Sequence, residues 1–352
     1  MLYNLLFNHF QSFSIDFTLI RAVLAVLSST IICLVLGPCC IKILKLYQKT
    51  GQPIREDGPS SHLSKAGTPT MGGIIIIFSS IISCLFVTNL RNPYIWTILL
   101  VMISFAFIGF LDDYKKIRKN HHGGISALKK LLLQSLISVV AIYLIYYYSD
   151  AKDNFSALSI PFFDVTFDIK YFYIFFATFV VVGSSNAVNL TDGLDGLAAS
   201  TVAIATFSFG IIAYFISNDP YVSSVSIAEV GVLCGAIAGG CIGFLYFNRN
   251  PAKIFMGDTG SLSLGGCLGL ISIITKQELL LVIIGAVFVI ETLSVIIQVT
   301  YFRYTGGKRI FLMAPLHHHF EQKGLSELKI LTYFCSIALI FSIIGLLSLK
   351  YI

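Results

Sequence analysis

Ten apolar stretches, each about as long as a bilayer is thick, decide what this chain can fold into. They lie at about 17–41, 71–90, 94–111, 131–149, 171–188, 197–217, 227–247, 259–275, 279–302 and 330–349. A helix needs roughly 17–25 residues to cross hydrocarbon. Lipid offers no partner to a backbone N–H or C=O, so each crossing must satisfy its own hydrogen bonds. Composition agrees: 12% of residues are charged, against about 25% in soluble domains. The expectation is an all-α integral membrane protein, a polytopic bundle of about ten transmembrane helices forming a single domain over 1–352. The weakest stretch is 259–275, short and rich in glycine (Gly260, Gly265, Gly266, Gly269). It also suits a close-packed helix of the small-residue type.

Orientation follows from lysine and arginine. Ten crossings place both termini on one side and the loops 42–70, 112–130, 189–196, 248–258 and 303–329 on the other. Those loops hold 18 Lys and Arg, whereas the opposite side holds five. The positive-inside rule then puts the basic loops in the cytoplasm and both termini outside. The outer loop 150–170 alternates loosely from Ile160 to Phe167, which predicts a small periplasmic β-hairpin. The eight cysteines fall in apolar runs without ligand spacing, so they read as small core residues. No removable signal peptide is expected.

The polar clusters fall on the predicted cytoplasmic face. Asp112 and Asp113 close the third stretch. Asn186-Ala-Val-Asn189-Leu-Thr-Asp192-Gly193-Leu194-Asp195-Gly196 closes the fifth. Asp258, in Met256-Gly257-Asp258-Thr259-Gly260-Ser261, opens the eighth, and His317-His318-His319 lies in the last basic loop. An aspartate at the centre of a bilayer costs roughly 2.5–3.5 kcal/mol, so these loops lie at a membrane face or line a watery cavity. Aspartates there suit Mg²⁺, which binds one or two carboxylates together with substrate phosphates. Basic loops around them attract anions. Phosphoryl chemistry fits both, because positioning and charge neutralisation carry most of it.

Blander readings stand beside each motif. Asp112-Asp113 also suits an ordinary charged helix end, although adjacent carboxylates repel and one proton can be held more tightly. Asp258 also suits the first turn of a helix, where the dipole favours its charge. The histidines can donate to phosphate or bind metal; phosphate is favoured, since an oxygen-ligated Mg²⁺ needs no imidazole. Lys65 with Thr68 and Thr70, ahead of a helix start at Met71, has the physics of an anion-binding helix N-terminus, or is a flexible loop with a cap. Glu291 and Gln298, seven apart on one helix face, point to a bundle interior or cavity. Phe255 can stack on a base or simply pack at the interface.

These motifs together resemble one family closely. Arg55, Asp57-Gly58-Pro59, His62, Lys65 and Gly67-Thr68-Pro69-Thr70-Met71-Gly72-Gly73 form the first block. Leu111-Asp112-Asp113-Tyr114, Asn189 to Leu197, Met256 to Ser261, and Pro315-Leu316-His317-His318-His319-Phe320-Glu321 follow. The pattern resembles the phospho-N-acetylmuramoyl-pentapeptide transferases, within the polyprenyl-phosphate N-acetylhexosamine-1-phosphate transferases. The resemblance implies transfer from UDP-N-acetylmuramoyl-pentapeptide to undecaprenyl phosphate, giving lipid I and UMP. It implies Mg²⁺ as cofactor, a homodimer in the bacterial inner membrane, an active site on the cytoplasmic face and no nucleic-acid partner. By the same resemblance Asp258 ligands the metal and Asp112 and Asp113 are catalytic. Lys65, Asn189, Asp192, Gly193, Leu194, Asp195, Asn248 and Phe255 line the nucleoside side. Thr70, His317, His319 and Gln298 lie nearby, and His318 joins the catalytic group. The rivals are a sibling transferase moving N-acetylglucosamine-1-phosphate, a transporter using Glu291 and Gln298, and a non-catalytic scaffold.

Overall fold

Among the described residues twelve α-helices and one two-stranded sheet follow each other along the chain. The structure is a computed structural model, and it describes residues 17–48, 65, 67–119, 123–149, 152–163, 165–218 and 225–351. Arg55, Asp57, Gly58, Pro59 and His62 of the first basic loop lie outside these residues. The helices are α1 (Phe17–Tyr47), α2 (Gly73–Val87), α3 (Pro93–Lys119) and α4 (Ala127–Tyr148). Strands β1 (Ala157–Ser159) and β2 (Thr166–Asp168) come next. Then follow α5 (Phe172–Thr191), α6 (Leu197–Ser217), α7 (Val225–Asn248), α8 (Gly257–Ile274), α9 (Glu278–Ile284), α10 (Ala286–Tyr304), α11 (Leu316–Gln322) and α12 (Glu327–Leu347).

Among the described residues nine helices are long and apolar enough to cross a membrane, and α2 is a shorter apolar helix of 15 residues. The chain is therefore a multi-pass membrane protein. Two stretches depart from expectation. The second apolar run extends over 71–90, but its helix is only Gly73–Val87, about 22 Å at 1.5 Å per residue. Thr88 turns it off in extended backbone, its N–H donating to Cys84 O. The ninth run is two helices, α9 and α10, interrupted at Gly285, where glycine's freedom lowers the cost of leaving helical geometry. The hairpin expected near 150–170 is present: β1 and β2 pair antiparallel, Leu158 opposite Phe167.

The stretch with the weakest apolar signal becomes the centre of the bundle. α8 is buried along almost its whole length and packs between α3 and α5. Its glycines permit that approach. A Cβ on Gly265 would stand 2.5 Å from Ser184 O, one on Gly266 2.6 Å from the Phe105 ring, and one on Gly269 2.7 Å from Val181 Cα. Backbones this close gain dispersion contacts that lipid cannot supply. The lipid-facing helices keep their large apolar residues outward, as at Val139, Tyr143, Phe175 and Phe179. Of the cysteines, five are buried, Cys40 and Cys335 are half-buried and Cys39 is exposed; none is paired.

Candidate active site

Every helix leaves its first N–H groups without intrahelical partners. At the start of α8 other helices fill that need with carboxylates. Asp192, just past the end of α5, accepts from Gly257 N at 3.1 Å. Asp113, near the end of α3, accepts from Asp258 N at 3.2 Å and from Thr259 N and Oγ1 at 3.0 and 2.8 Å. The first turn of α8 is thus clamped between α3 and α5, with Asp258 held inside it.

The Asp258 side chain then meets a different set of partners. Asn189 Nδ2 donates to it at 2.9 Å and also to Ser261 Oγ at 2.8 Å. Lys130 from α4 reaches it at 2.9 Å and Lys116 from α3 at 3.2 Å. The same two ammonium groups lie 3.7 and 2.6 Å from Asp112. Asp112 also accepts from Ile125 N at 2.7 Å. Four of the five aspartates expected to form the site therefore converge, from α3, the α5 end and α8. Like charges crowd here: burial, then the charges of Asp258 and Asp113, push the Asp192 carboxyl well above the usual carboxylate range. A carboxyl in that setting holds its proton to higher pH.

Asp195 belongs to a neighbouring cluster. It accepts from Lys65 Nζ at 2.8 Å, from Asn250 Nδ2 at 3.2 Å and from Ala252 N at 3.0 Å. Lys65 also pairs with Glu327, at the start of α12, at 2.7 Å. Between the two clusters runs the turn Asp192–Gly196. Gly193 is needed there because His317 packs against it; a Cβ would stand 2.1 Å from Nε2. Leu194 is buried with Leu197, Ile330 and Phe334.

The three histidines separate into three roles. His317 is fully buried and holds Glu291, Nδ1 to Oε2 at 3.1 Å and N to Oε1 at 3.2 Å. Its Nε2 is buried without a hydrogen-bond partner among the described residues. His318 Nδ1 sits 2.6 Å from Glu321. His319 Nδ1 accepts from Leu312 N at 3.1 Å; burial, then the Lys323 charge, lowers its pKa.

Several expected ligand-binding residues spend their polar atoms on the fold. Asn248 accepts from Gly196 N at 3.0 Å and donates to Ile254 O at 2.9 Å. Gln298 accepts from Ile310 N and Phe311 N and donates to Phe311 O, each at 3.0 Å. Phe255 is half-buried, its N–H donating to Pro69 O. Thr70 N–H donates to Gln48 at 2.9 Å, while its buried hydroxyl has no partner among the described residues. The anion-binding helix N-terminus read at Met71 is corrected. α2 starts at Gly73, and the Gly72 and Gly73 N–H groups donate to Phe255 O and Met256 O at 2.8 and 2.9 Å. Its amides are taken by the chain itself.

Sequence reasoning counted Lys116 and Lys130 only as loop charges. Lys116 carried a signal, its place four residues after Asp112 on a helix. Lys130 is 128 residues from Asp258 and carried none. Glu327 and Asn250 were equally silent, while Glu321 stood in the histidine motif without a role. Asp258 is contacted by the Asn189 amide nitrogen and by the Lys116 and Lys130 ammonium groups, and Asp112 shares both lysines; carboxylate oxygens of this kind are the type a hard cation such as Mg²⁺ takes. Among the described residues no three His, Cys, Asp or Glu are placed to hold an ion. Asp112 and Asp258, which share the two lysines, are the carboxylates that could take such a cation.

Comparison with known proteins agrees with the motifs. The model for glycosyl transferase family 4 matches residues 95–276. The phospho-N-acetylmuramoyl-pentapeptide-transferase signature 1 matches residues 65–77. Proteins named phospho-N-acetylmuramoyl-pentapeptide-transferase are similar along the whole chain. That of Rickettsia prowazekii is 53% identical over 362 residues, 99% of each chain. Those of Rickettsia felis and Rickettsia bellii are 52% identical over 361 residues, again 99% of each.

Proposed function

Since the chain belongs to the phospho-N-acetylmuramoyl-pentapeptide transferase family, we propose that it moves phospho-N-acetylmuramoyl-pentapeptide from its UDP carrier to undecaprenyl phosphate, yielding lipid I and UMP. The observation that carries this reading is the pair of lysines bridging Asp112 and Asp258 at 2.6 to 3.7 Å. Carboxylates and ammonium groups on one small surface can orient a phosphate and neutralise another.

In this reading an oxygen of the lipid phosphate attacks the β-phosphorus of the UDP-sugar. The bond from that phosphorus to the oxygen bridging to UMP breaks, and UMP leaves with that oxygen. Asp112, fixed by Ile125 N and Lys116, orients the lipid phosphate or takes its proton. Lys116 and Lys130 turn toward phosphate oxygens as substrate charge arrives. Lys65 and His318, each braced by a carboxylate, steady the transferring group. Asn189, Asp192 to Asp195, Asn248 and Phe255 shape the nucleoside side, with Thr70, His317, His319 and Gln298 around it. Asp258 would hold Mg²⁺, and the ion would supply positive charge to offset that of the leaving group. We place the site at the cytoplasmic face of the bacterial inner membrane, in a homodimer, with both termini periplasmic. The transporter reading loses its support, because Glu291 binds His317 and Gln298 binds loop backbone.

The test is UMP release by purified protein in detergent, given both substrates with and without Mg²⁺. Release that needs both substrates and the metal is expected. Release with UDP-N-acetylglucosamine instead would move the chain to the sibling activity. No release with either sugar would overturn the proposal.

A further inference from the structure

A buried carboxyl group on α10 has no part in the chemistry set out above. Glu291 is fully buried, on a helix long and apolar enough to cross a membrane. Its ion-pair partner among the described residues is a histidine, His317, not a lysine or arginine. An ionisable side chain inside a membrane bundle is expensive to bury, and where one occurs it marks a function by default.

Both carboxyl oxygens are used on His317. Oε1 accepts from His317 N at 3.2 Å, and Oε2 lies 3.1 Å from His317 Nδ1. A carboxylate offers only lone pairs, so Nδ1 brings the hydrogen. The neutral ring then presents Nε2 as an acceptor. That atom faces Gly193, where a Cβ would stand 2.1 Å from Nε2 and 2.8 Å from Cε1. Gly193 sits in the turn between Asp192 and Asp195, whose side chains hold the start of α8 and Lys65. Nε2 is itself buried, with no hydrogen-bond partner among the described residues. Gln298, about two turns along the same face of α10, fixes the backbone of Ile310 and Phe311. The segment that delivers His317 is thus tied to one helix at two points, and only the Glu291 contact sets the ring's hydrogen.

We infer that Glu291 is a positioning residue for the proposed transfer, on which this inference rests. It acts through His317, fixing the hydrogen on Nδ1 and keeping Nε2 as an acceptor beside the Asp192–Asp195 turn, for an N–H or O–H of the nucleotide-linked substrate. Glu291→Gln keeps the shape and changes the polarity. Its single oxygen cannot serve both His317 donors, and an amide NH2 opposite Nδ1 moves the ring hydrogen to Nε2. Glu291→Asp is shorter and still offers only lone pairs. The two substitutions therefore separate polarity from packing. A packing role makes Gln, the near-isostere, the milder change; a positioning role makes Asp the milder one.

The experiment pairs UMP release with nitrogen NMR of the full chain in detergent, labelled at the histidine ring nitrogens. The His317 signals are assigned by their loss in His317→Asn. The wild type should show Nδ1 protonated and Nε2 bare. Glu291→Gln should invert that pattern and lower kcat/KM for the UDP-sugar by about 100-fold. Glu291→Asp should keep the pattern and remain about tenfold more active than Glu291→Gln. A bare Nδ1 in the wild type, or a ring protonated on both nitrogens, would overturn the inference even where neither variant folds. So would a Glu291→Gln enzyme as active as Glu291→Asp or more so. A wild type that releases no UMP would instead sink the transfer reading, and the ring signals would still decide what Glu291 does to His317.

Discussion

Asp112 and Asp113 are neighbours in sequence and face different partners. Successive helical residues are turned about 100° apart, so Asp113 reaches the α8 amides while Asp112 reaches two lysines. Their variants should therefore differ. Asp113→Ala strands buried donors of α8 and should cost roughly 2–4 kcal/mol of stability, read as a lower melting midpoint in detergent; an unchanged midpoint would remove the clamp role. Asp112→Asn should keep nucleotide binding and lose about 100-fold or more in turnover. Loss of binding with turnover retained at saturation would reassign Asp112 to the substrate pocket. Asp258→Asn should abolish most UMP release and flatten its Mg²⁺ dependence, a loss of about 100- to 1000-fold. Near-normal turnover at ordinary Mg²⁺ would refute the metal assignment. These aspartates were legible because charge at the end of an apolar run is costly. Lys130 was not, because nothing local to it marks which distant carboxylate it meets.

At the scale of elements, α8 carries the site and its crossing with α3 sets the height of Asp258. A Cβ on Gly109 of α3 would stand 2.1 Å from Asp258 O and 2.6 Å from Thr259 N. Gly109→Ala should push the first turn of α8 away from Asp113, costing about 1–3 kcal/mol and about tenfold or more in turnover. Normal activity with a normal melting midpoint would show that the contact has slack. Helix existence was legible throughout from apolar length. The short α2 and the interruption at Gly285 were not, because hydropathy averages over single residues and cannot see where a carbonyl or loop ends a helix. Small-residue content did foretell that 259–275 would pack closely, though not that it would lie at the centre.

Across the whole molecule, ion pairs tie distant parts of the chain at both ends. Lys65 joins Asp195 to Glu327 beside the site. At the far end Arg21 of α1 meets Glu229 of α7 at 2.7 Å, both buried, and Glu229 also accepts from Asn89 N. Glu229→Ala leaves the arginine charge buried and should cost about 3–5 kcal/mol, while Arg21→Met/Glu229→Leu should recover much of it; equal midpoints for the single variant and wild type would show the pair is dispensable. By itself the sequence determined that the chain crosses a membrane as helices, that Asp112, Asp113, Asp192, Asp195 and Asp258 gather on one face and which family it resembles. Those follow from local terms, the cost of unpaired backbone and of charge in hydrocarbon. Only the tertiary structure decided that Asp113 and Asp192 clamp the start of α8, that Lys116 and Lys130 bridge Asp112 and Asp258, and that Asn248 and Gln298 brace loops. Each depends on which helices become neighbours, and that is set by close packing between faces far apart in the chain.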